Sequence, residues 1–477
     1  MASNGEWKVN VPEGTLVIEP TVFKRMYIQL QGKILKSLKR IGNFWVKAKN
    51  IATSDPRKVI HGVKVGMALS LVSLFYYMRP LYDGVGGNAM WAVMTVVVAF
   101  EYSVGATIAK SFNRASATIL AGSIGVGVHW IANQCGEELE PVILQASVTI
   151  LAAAATFSRF IPSVKARFDY GVMVFILTFS FVSVSGYRVE KLLELARNRV
   201  STIAIGTSIC IFTSMLFYPV WAGNELHNLV YKNLERLADS LDGIHEIKLT
   251  PDIFCRCISC VTEYFKDSKE DRGRKHEGYK FVLNSKAGEE VMANMARWEP
   301  PHGRFKFRHP WKQYLKVGAS MRSCAYCIET LSGFINSEVQ APELLKKHMK
   351  EVCMALSSSS SNVLKELATT TKTMTKSTKT HLFVQEMNFA VQSFKNAFKD
   401  LSKQALILTE HEAGEEKSTE GTKTVPIIAI FPIATMATLL IEIKERVESI
   451  VTEVENMAAQ AEFEIENKPS KCDQDLK

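Results

Sequence analysis

The stretch that decides the fold is residues 104–132, with the sequence VGATIAKSFNRASATILAGSIGVGVHWIA. It exceeds the roughly 20 apolar residues that a helix needs to cross a membrane. Arg114 follows about ten residues after its start, which is roughly 15 Å into a hydrocarbon core about 30 Å thick. Because an arginine at that depth is costly, it is expected to face a water-filled path or a charged partner.

A second apolar stretch carries the same pair of residues. Asn198 and Arg199 precede small and apolar residues, as Asn113 and Arg114 do. Two arginines in related contexts predict a permeation path for anions. The alternative is that each arginine pairs with an internal acid such as Glu101.

Apolar runs divide the chain into unlike halves. Six candidate spans can be drawn before residue 222, whereas no later run stays apolar for the length of a span. They are residues 59–78, 88–102, 104–132, 141–158, 171–187 and 200–221. With three spans per half, the halves would have inverted topology, which places corresponding sites near each other at mid-membrane.

The later half is rich in charge and has helix-period segments. We predict them at residues 225–241, 255–265, 311–334, 342–367, 381–409 and 433–463. The apolar run 427–441 is too short for a seventh span and is predicted to be a buried core helix.

The fold class predicted is therefore all-α, with a six-span transmembrane helical domain followed by a cytosolic helical bundle. The expected parts are a basic cytosolic N-terminal arm (1–57), the transmembrane domain (58–222) and the cytosolic helical domain (223–477). Low-complexity sequence predicts disordered loops near 368–380 and 410–424. Serines at 357–361 and threonines at 369–380 could accept phosphate from a regulatory kinase, or could be ordinary solvated loop.

Charge in the loops predicts the orientation. Residues 24–58 contain ten Lys and Arg, with Asp55 as the only acid, and the loop 159–169 is also basic. The loop 137–140 carries only acids. Because positive loops stay inside, both termini are expected in the cytosol. In a soluble protein the basic arm would suggest binding to nucleic acid. Because the arm lies directly before a span, contact with anionic membrane lipid is favoured instead. No nucleic-acid partner is expected.

Further charges flank the predicted path. Lys110 lies one helical turn before Arg114, and Lys64 lies in the first span. Such groups would raise the local concentration of anions, although snorkelling to lipid headgroups is the alternative.

On the outer side, Asp83, Glu190 and Glu194 could hold a polyvalent metal cation, since hard cations prefer oxygen ligands. Solvated loop acids are the alternative for these three residues.

Enzymatic motifs are absent from the sequence. It contains no Walker loop, dinucleotide fingerprint or Gly-x-Ser-x-Gly elbow, so neither an enzyme nor a cofactor is expected. The spacing of Cys255, Cys257 and Cys260 and of Cys324 and Cys327 would permit a zinc site, but reduced thiols on cytosolic helices are favoured. No cleaved signal peptide is visible, so the first span is expected to act as the targeting signal.

Several motifs resemble those of plant aluminium-activated malate transporters. They are DPRKVIHGVKVG (55–66), NAMWAVMTVVV (88–98), EYSVGAT (101–107), RFIP (159–162), FDYGV (168–172) and WEPPHGR (298–304). Together they extend over most of the chain.

The resemblance implies a dimeric anion channel that conducts malate and other anions passively. The family's pore arginines match Arg114 and Arg199, and its outer acids match Asp83, Glu190 and Glu194. Activation by aluminium is not implied for every member. We favour the plasma membrane over the vacuolar membrane. The alternatives are a proton-coupled exporter of organic or aromatic acids and a membrane-anchored scaffold.

Overall fold

The computed structural model describes residues 22–78, 89–136, 138–186, 192–248, 277–336, 343–412 and 431–465. These residues are almost entirely helical, which confirms the predicted all-α class. The chain divides into two compact units, one ending at Met67 and the other beginning at Ala68, and each is described by itself.

The first unit contains α1 (Val22–Ser54) and the start of α2 (Pro56–Tyr77). Proline is favoured at the first position of a helix, because its missing N–H would have no partner there. Asp55 separates the two helices, and its Oδ1 accepts a hydrogen bond from the Arg57 backbone N–H at 3.3 Å. The basic arm is therefore a helix from Val22 onward.

Apolar helices follow in the second unit. They are α3 (Ala89–Ala99), α4 (Val104–Gln134), α5 (Glu140–Ser158), α6 (Pro162–Gly186) and α7 (Leu192–Leu216). Of the described helices, the four from α4 to α7 are long and apolar enough to cross a membrane. The predicted segment 88–102 contains only the 11-residue α3. The length and composition of the described helices thus support four of the six predicted spans.

Small residues allow these helices to pack closely. The helix α4 packs on α6 and α7, and α3 packs on α7. A Cβ atom on Gly125 would lie 2.8 Å from Val182 Cγ1, and one on Gly206 would lie 2.8 Å from Thr95 Cβ. Glycine at these two positions lets neighbouring helices approach, as is common in membrane proteins.

Seven more helices follow residue 221 in the described part of the chain. They are α8 (Ala222–Lys248), α9 (Gly278–Leu283), α10 (Lys286–Ala296), α11 (Trp311–Asn336), α12 (Glu343–Thr373), α13 (Lys379–Glu412) and α14 (Phe431–Gln460). Helix α8 packs on α12, and α11 packs on α14. Leu226, Leu234, Leu237 and Leu241 of α8 are fully buried, which is the helical period expected of a core face.

Five of these helices lie where the sequence predicts them, and α9 and α10 were not predicted. The predicted segment 255–265 lies outside the described residues. Residues 431–441 of the apolar run lie in α14, where Ala437 and Leu440 are buried in the core. The burial of this segment within a helix agrees with the prediction of a buried core helix.

The predicted disordered loop at 368–380 is wrong. Helix α12 continues to Thr373, and β1 (Thr375–Lys376) pairs in parallel with β2 (Glu464–Ile465). Ala368 and Thr371 are buried. The Thr369 hydroxyl donates to the Lys365 carbonyl at 3.0 Å, so the polar side chain is satisfied without leaving the helix. Of the other predicted loop, residues 413–424 lie outside the described residues.

The serine run 357–361 also lies within α12, not in a loop. The Ser357 hydroxyl donates to the Leu241 carbonyl at 3.0 Å, and that of Ser361 donates to the Ala238 carbonyl at 3.1 Å. Both serines are buried against α8, so the prediction of accessible phosphate acceptors is wrong for them.

Candidate functional site

Arg114 is buried between three apolar helices. It lies on α4 and is 8% exposed. Its Nε donates to Thr95 Oγ1 on α3 at 3.1 Å, and its Nη1 donates to the Tyr170 hydroxyl on α6 at 3.1 Å. The Thr95 hydroxyl donates its own proton to the Trp91 carbonyl at 2.7 Å, which leaves its lone pairs for the guanidinium. Both acceptors are neutral, so the positive charge of Arg114 is oriented without being cancelled.

Arg199 is held by aromatic faces. It lies on α7, is 6% exposed, and its Cζ lies 3.6 Å from the ring centroid of Trp91 and 3.9 Å from that of Phe181. Cation–π contacts of this kind stabilise a guanidinium without neutralising it. Its Nε and Nη2 have no hydrogen-bond partner among the described residues. Burying such donors unpaired is costly, so the site is suited to an acceptor from outside the protein.

The predicted alternative of an internal acid does not hold for Glu101. Its carboxylate pairs with Lys110, nine positions along the chain, and not with either arginine. Within the described residues no carboxylate lies in salt-bridge range of Arg114 or Arg199. The expectation that Lys110 is an uncompensated positive charge is therefore corrected, although its Nζ also lies 5.5 Å from the Tyr170 ring centroid.

The two arginines share their neighbours. Trp91 contacts Arg199 through its ring, and its carbonyl positions the Thr95 hydroxyl that binds Arg114. Both guanidinium groups therefore contact α3, Arg199 at Trp91 and Arg114 at Thr95. We call this set the arginine site: Arg114, Arg199, Trp91, Thr95, Tyr170 and Phe181. Its chemistry is two positive charges among neutral polar and aromatic groups, which suits a small anion.

Sequence reasoning found the arginines but missed the residues that hold them. Trp91 and Thr95 are four positions apart on α3, so they lie on one face of the helix, and this spacing is a signal that could have been used. Tyr170 and Phe181 come from α6, and no local pattern relates them to α4 or α7.

The structure describes only some of the other predicted site residues. Lys64 lies on α2 in the first unit, with a buried side chain. Asp83 and Glu190 are outside the described residues. Glu194 falls in α7, but its side chain is not among those described. The outer cation site thus stays a prediction.

Of the two cysteines of α11, Cys324 is buried and Cys327 is half-buried. Burial raises the pKa of the Cys324 thiol, and it also raises the pKa of the Cys327 thiol. Protonated thiols are poor metal ligands, which favours the interpretation as reduced cysteines. Cys255, Cys257 and Cys260 lie outside the described residues.

The segment 298–304 lies between α10 and α11 in the chain. It contacts α4 through Trp298 and Phe112, and it contacts the start of α8 through Glu299. The Glu299 carboxylate accepts hydrogen bonds from the backbone N–H of Ala222 at 2.5 Å and of Gly223 at 3.0 Å, and so caps α8. Burial raises the pKa of Glu299, and these two hydrogen bonds oppose that shift. His302 stacks on Trp221, with the ring centroids 3.9 Å apart.

The same region touches the start of α4. A Cβ on Gly105 would lie 2.3 Å from the Met295 carbonyl oxygen at the end of α10, so glycine is needed for this approach. The Val104 backbone N–H donates to the Val220 carbonyl at 2.9 Å. The first turn of α4, which carries Arg114 further along, therefore rests on the Glu299 loop and on the chain that enters α8.

These features define a class. Apolar helices of spanning length surround two buried arginines that lack acidic partners among the described residues, which is the arrangement of a helical membrane transport protein. The sequence model described as "Aluminium activated malate transporter" matches residues 49–427. The chain belongs to this family, as its motifs predict.

Similar proteins cover nearly the whole chain. It is 49% identical to aluminum-activated malate transporter 10 of Arabidopsis thaliana, over 99% of this chain and 97% of that protein. It is 42% identical to transporter 2 of the same plant, over 89% and 79%. It is 40% identical to aluminum-activated malate transporter 1 of Triticum aestivum, over 91% and 90%. These relatives are transporters, which confirms that the chain is a membrane protein and not an enzyme.

Proposed function

We propose that the chain is an anion channel that conducts malate and inorganic anions passively across a plant membrane. The observation that carries this proposal is Arg199, a buried guanidinium with two unpartnered nitrogens and no acid beside it among the described residues. The relatives that match the chain over most of its length are named malate transporters, which supports malate as the anion.

The arginine site suggests how a dicarboxylate would bind. One carboxylate of malate would accept hydrogen bonds from Nε and Nη2 of Arg199 in the side-by-side geometry that guanidinium favours. Arg114, oriented by Thr95 and Tyr170, would supply the second charge. An entering anion would be attracted to both positive charges, which have no acidic partner among the described residues.

Passage also requires that the anion leaves. The neutral partners of the two arginines compete little with an anion for hydrogen bonds to the guanidinium groups. The aromatic faces hold the Arg199 side chain in place, so this side chain would move little as each anion enters and leaves. Channels conduct when binding is strong enough for entry and weak enough for release. Lys64 would raise the anion concentration near the path, whereas the charge of Lys110 is offset by Glu101.

The remaining architecture is part of the same proposal. We place six spans in residues 58–222, with the arm 1–57 and the domain 223–477 in the cytosol, both termini inside and the chain in the plasma membrane. A homodimer would complete the pore, with membrane lipid around it. Asp83, Glu190 and Glu194 would form an outer cation site. A regulatory kinase would act on exposed hydroxyls beside lysines, as at Thr369 and Thr378.

Patch-clamp recording of the full chain tests the proposal. Arg114→Ala and Arg199→Ala should each reduce malate current at least about tenfold, since each removes a charge that is desolvated with the anion. Arg197→Ala is the matched control, because it removes an exposed arginine from the same helix.

Surface labelling must show equal amounts of each variant at the membrane. Undiminished malate current in both Arg114→Ala and Arg199→Ala would refute the role of the site. A reversal potential that follows the proton gradient and not the anion gradient would favour the coupled exporter instead.

A further inference from the structure

Helix α1 has two unlike faces. Leu35, Phe44, Val46 and Ile51 lie outside the densest arc of its apolar positions. At about 100° per residue, that arc spans about 80°, with positions recurring at three- and four-residue steps. These positions are Ile34, Leu38, Ile41, Trp45, Ala48 and Ala52. A second arc, on the far side of the helix, holds Lys33, Lys36, Arg40 and Lys47. The helix is therefore amphipathic along most of its 33 residues.

Among the described residues, the larger side chains of this apolar face are exposed. Trp45 is 67% exposed, Leu38 is 57% exposed and Ile41 is 53% exposed. Proteins rarely leave a continuous apolar face of this size in water, so an occupant is expected.

The charge of α1 identifies the occupant. Its sequence contains eight Lys and Arg and not one Asp or Glu. An in-plane membrane helix combines a Lys-rich polar face with Trp, Leu and Ile on the other face, and anionic headgroups attract its basic side chains. A nucleic acid would satisfy the charge but would leave the apolar face uncovered.

The position of α1 in the chain agrees with a bilayer surface. A single residue, Asp55, separates α1 from α2, and the match to the membrane transporter family begins at residue 49, near the end of α1. The helix is about 50 Å long, which exceeds the hydrocarbon thickness, and its basic face could not enter lipid. It is thus suited to lie along a membrane and not to cross it.

We propose that α1 binds the surface of an anionic bilayer, with the apolar face sunk to the level of the headgroups and the basic face above it. This contact is independent of anion conduction, because it uses no residue of the arginine site. It assigns the arm a function as a lipid-sensing anchor that holds the chain entering α2 at the membrane surface.

Trypsin cleavage of the full chain in nanodiscs tests the proposal. Cleavage after Lys36, Lys39 and Arg40 is followed by mass spectrometry in discs of phosphatidylcholine alone and of phosphatidylcholine mixed with phosphatidylserine. In the mixed discs we expect these cuts to slow by about tenfold, and high salt should restore them.

Variants separate lipid binding from other causes. Leu38→Gln and Trp45→Gln weaken the apolar face and should restore cleavage in mixed discs, whereas Asn43→Gln, on the polar side of α1, should not. Equal cleavage of the unmodified chain in both kinds of disc would overturn the proposal. Protection that survives both substitutions would mean that α1 contacts protein, which would also overturn it. Because the readout is proteolysis, its outcome is separate from any test of current.

Discussion

The buried charge of Arg199 is stabilised by aromatic rings, whereas that of most buried arginines is stabilised by carboxylates. A carboxylate would cancel the charge and compete with any anion, whereas a ring stabilises the charge and leaves the N–H groups free. Trp91 and Phe181 both lie within cation–π distance of Arg199. At the scale of single residues, the site therefore keeps its charge available.

Trp91→Ala should weaken malate binding. Loss of a desolvated cation–π contact of about 1–2 kcal/mol corresponds to a rise of roughly tenfold in the malate concentration for half-maximal current. Trp91→Phe keeps a ring face and should change this concentration much less. If the alanine and phenylalanine variants have the same dose–response curve, the ring does not hold Arg199 in the way described.

A third arginine, half-buried, has the opposite chemistry. Arg322 Nη1 donates to Glu289 Oε2 at 2.5 Å, the Ser285 hydroxyl donates to Glu289 Oε1 at 2.6 Å, and Glu289 is fully buried. A Cβ on Gly318 would collide with this carboxylate, so glycine makes room for the pair. The pair joins α10 to α11 and is complete in itself, which suits a structural contact.

Arg322→Met should destabilise the helices after residue 221. Removing one partner of a buried ion pair typically costs about 3–5 kcal/mol, because the other charge stays buried. Thermal unfolding of the purified chain in detergent should show a clearly lower Tm, and the double variant Glu289→Gln/Arg322→Met should recover part of the loss. An unchanged Tm in Arg322→Met would show that the pair is not structural.

At the scale of helices, the cap on α8 links two parts of the chain. Glu299→Gln keeps one acceptor oxygen and loses the other, so one of the two N–H groups at Ala222 and Gly223 loses its partner. A lost cap costs about 1 kcal/mol, which predicts a severalfold faster hydrogen exchange in the first turn of α8. Glu225→Gln is the control, since it also removes one negative charge, here from within the first turn of α8. Equal exchange in the two variants would show that Glu299 does not cap the helix.

Two histidines make the helices after residue 221 sensitive to acid. Burial lowers the pKa of His227 to about 4 and that of His309 to about 4, and both rings bond the buried Tyr314 hydroxyl at 3.0 and 3.1 Å. The unfolded chain, in which histidine has a pKa of about 6.5, binds more protons between these values. Stability should therefore fall as the pH is lowered from about 6.5 to about 4.

The slope of Tm against pH measures this effect. His309→Gln should flatten the slope, because one depressed pKa is removed. His381→Gln removes an exposed histidine and should leave the slope as it is. If the two variants share one slope, the buried histidines are not its cause.

At the scale of the whole molecule, hydropathy and the cost of burying charge predicted much of what the structure contains. The long apolar runs became α4 to α7, and the expense of an arginine in lipid identified Arg114 and Arg199. Their partners could not be predicted, because Phe181 and Tyr170 meet them only when α6 packs against its neighbours. Contacts between distant helices leave no local pattern in the sequence.

Two misjudged features have physical explanations. Composition suggested a loop at 368–380 and accessible serines at 357–361, but serine and threonine hydroxyls in α12 donate to backbone carbonyls and so tolerate a helix. Lys110 was expected to add charge to the path, but the break at residues 100–103 places Glu101 within its reach. Both outcomes depend on hydrogen bonds that composition does not reveal.

The central claim is that uncompensated positive charge at Arg114 and Arg199 selects anions. The reversal potential in a malate gradient tests it most directly, because this quantity reports selectivity independently of the number of channels. In the unmodified chain and in Arg197→Ala, it should follow the malate gradient. In the double variant Arg114→Gln/Arg199→Gln, it should shift toward that of a non-selective pathway or the current should vanish. If the double variant carried a current of normal size and its reversal potential still followed the malate gradient, the account would be contradicted.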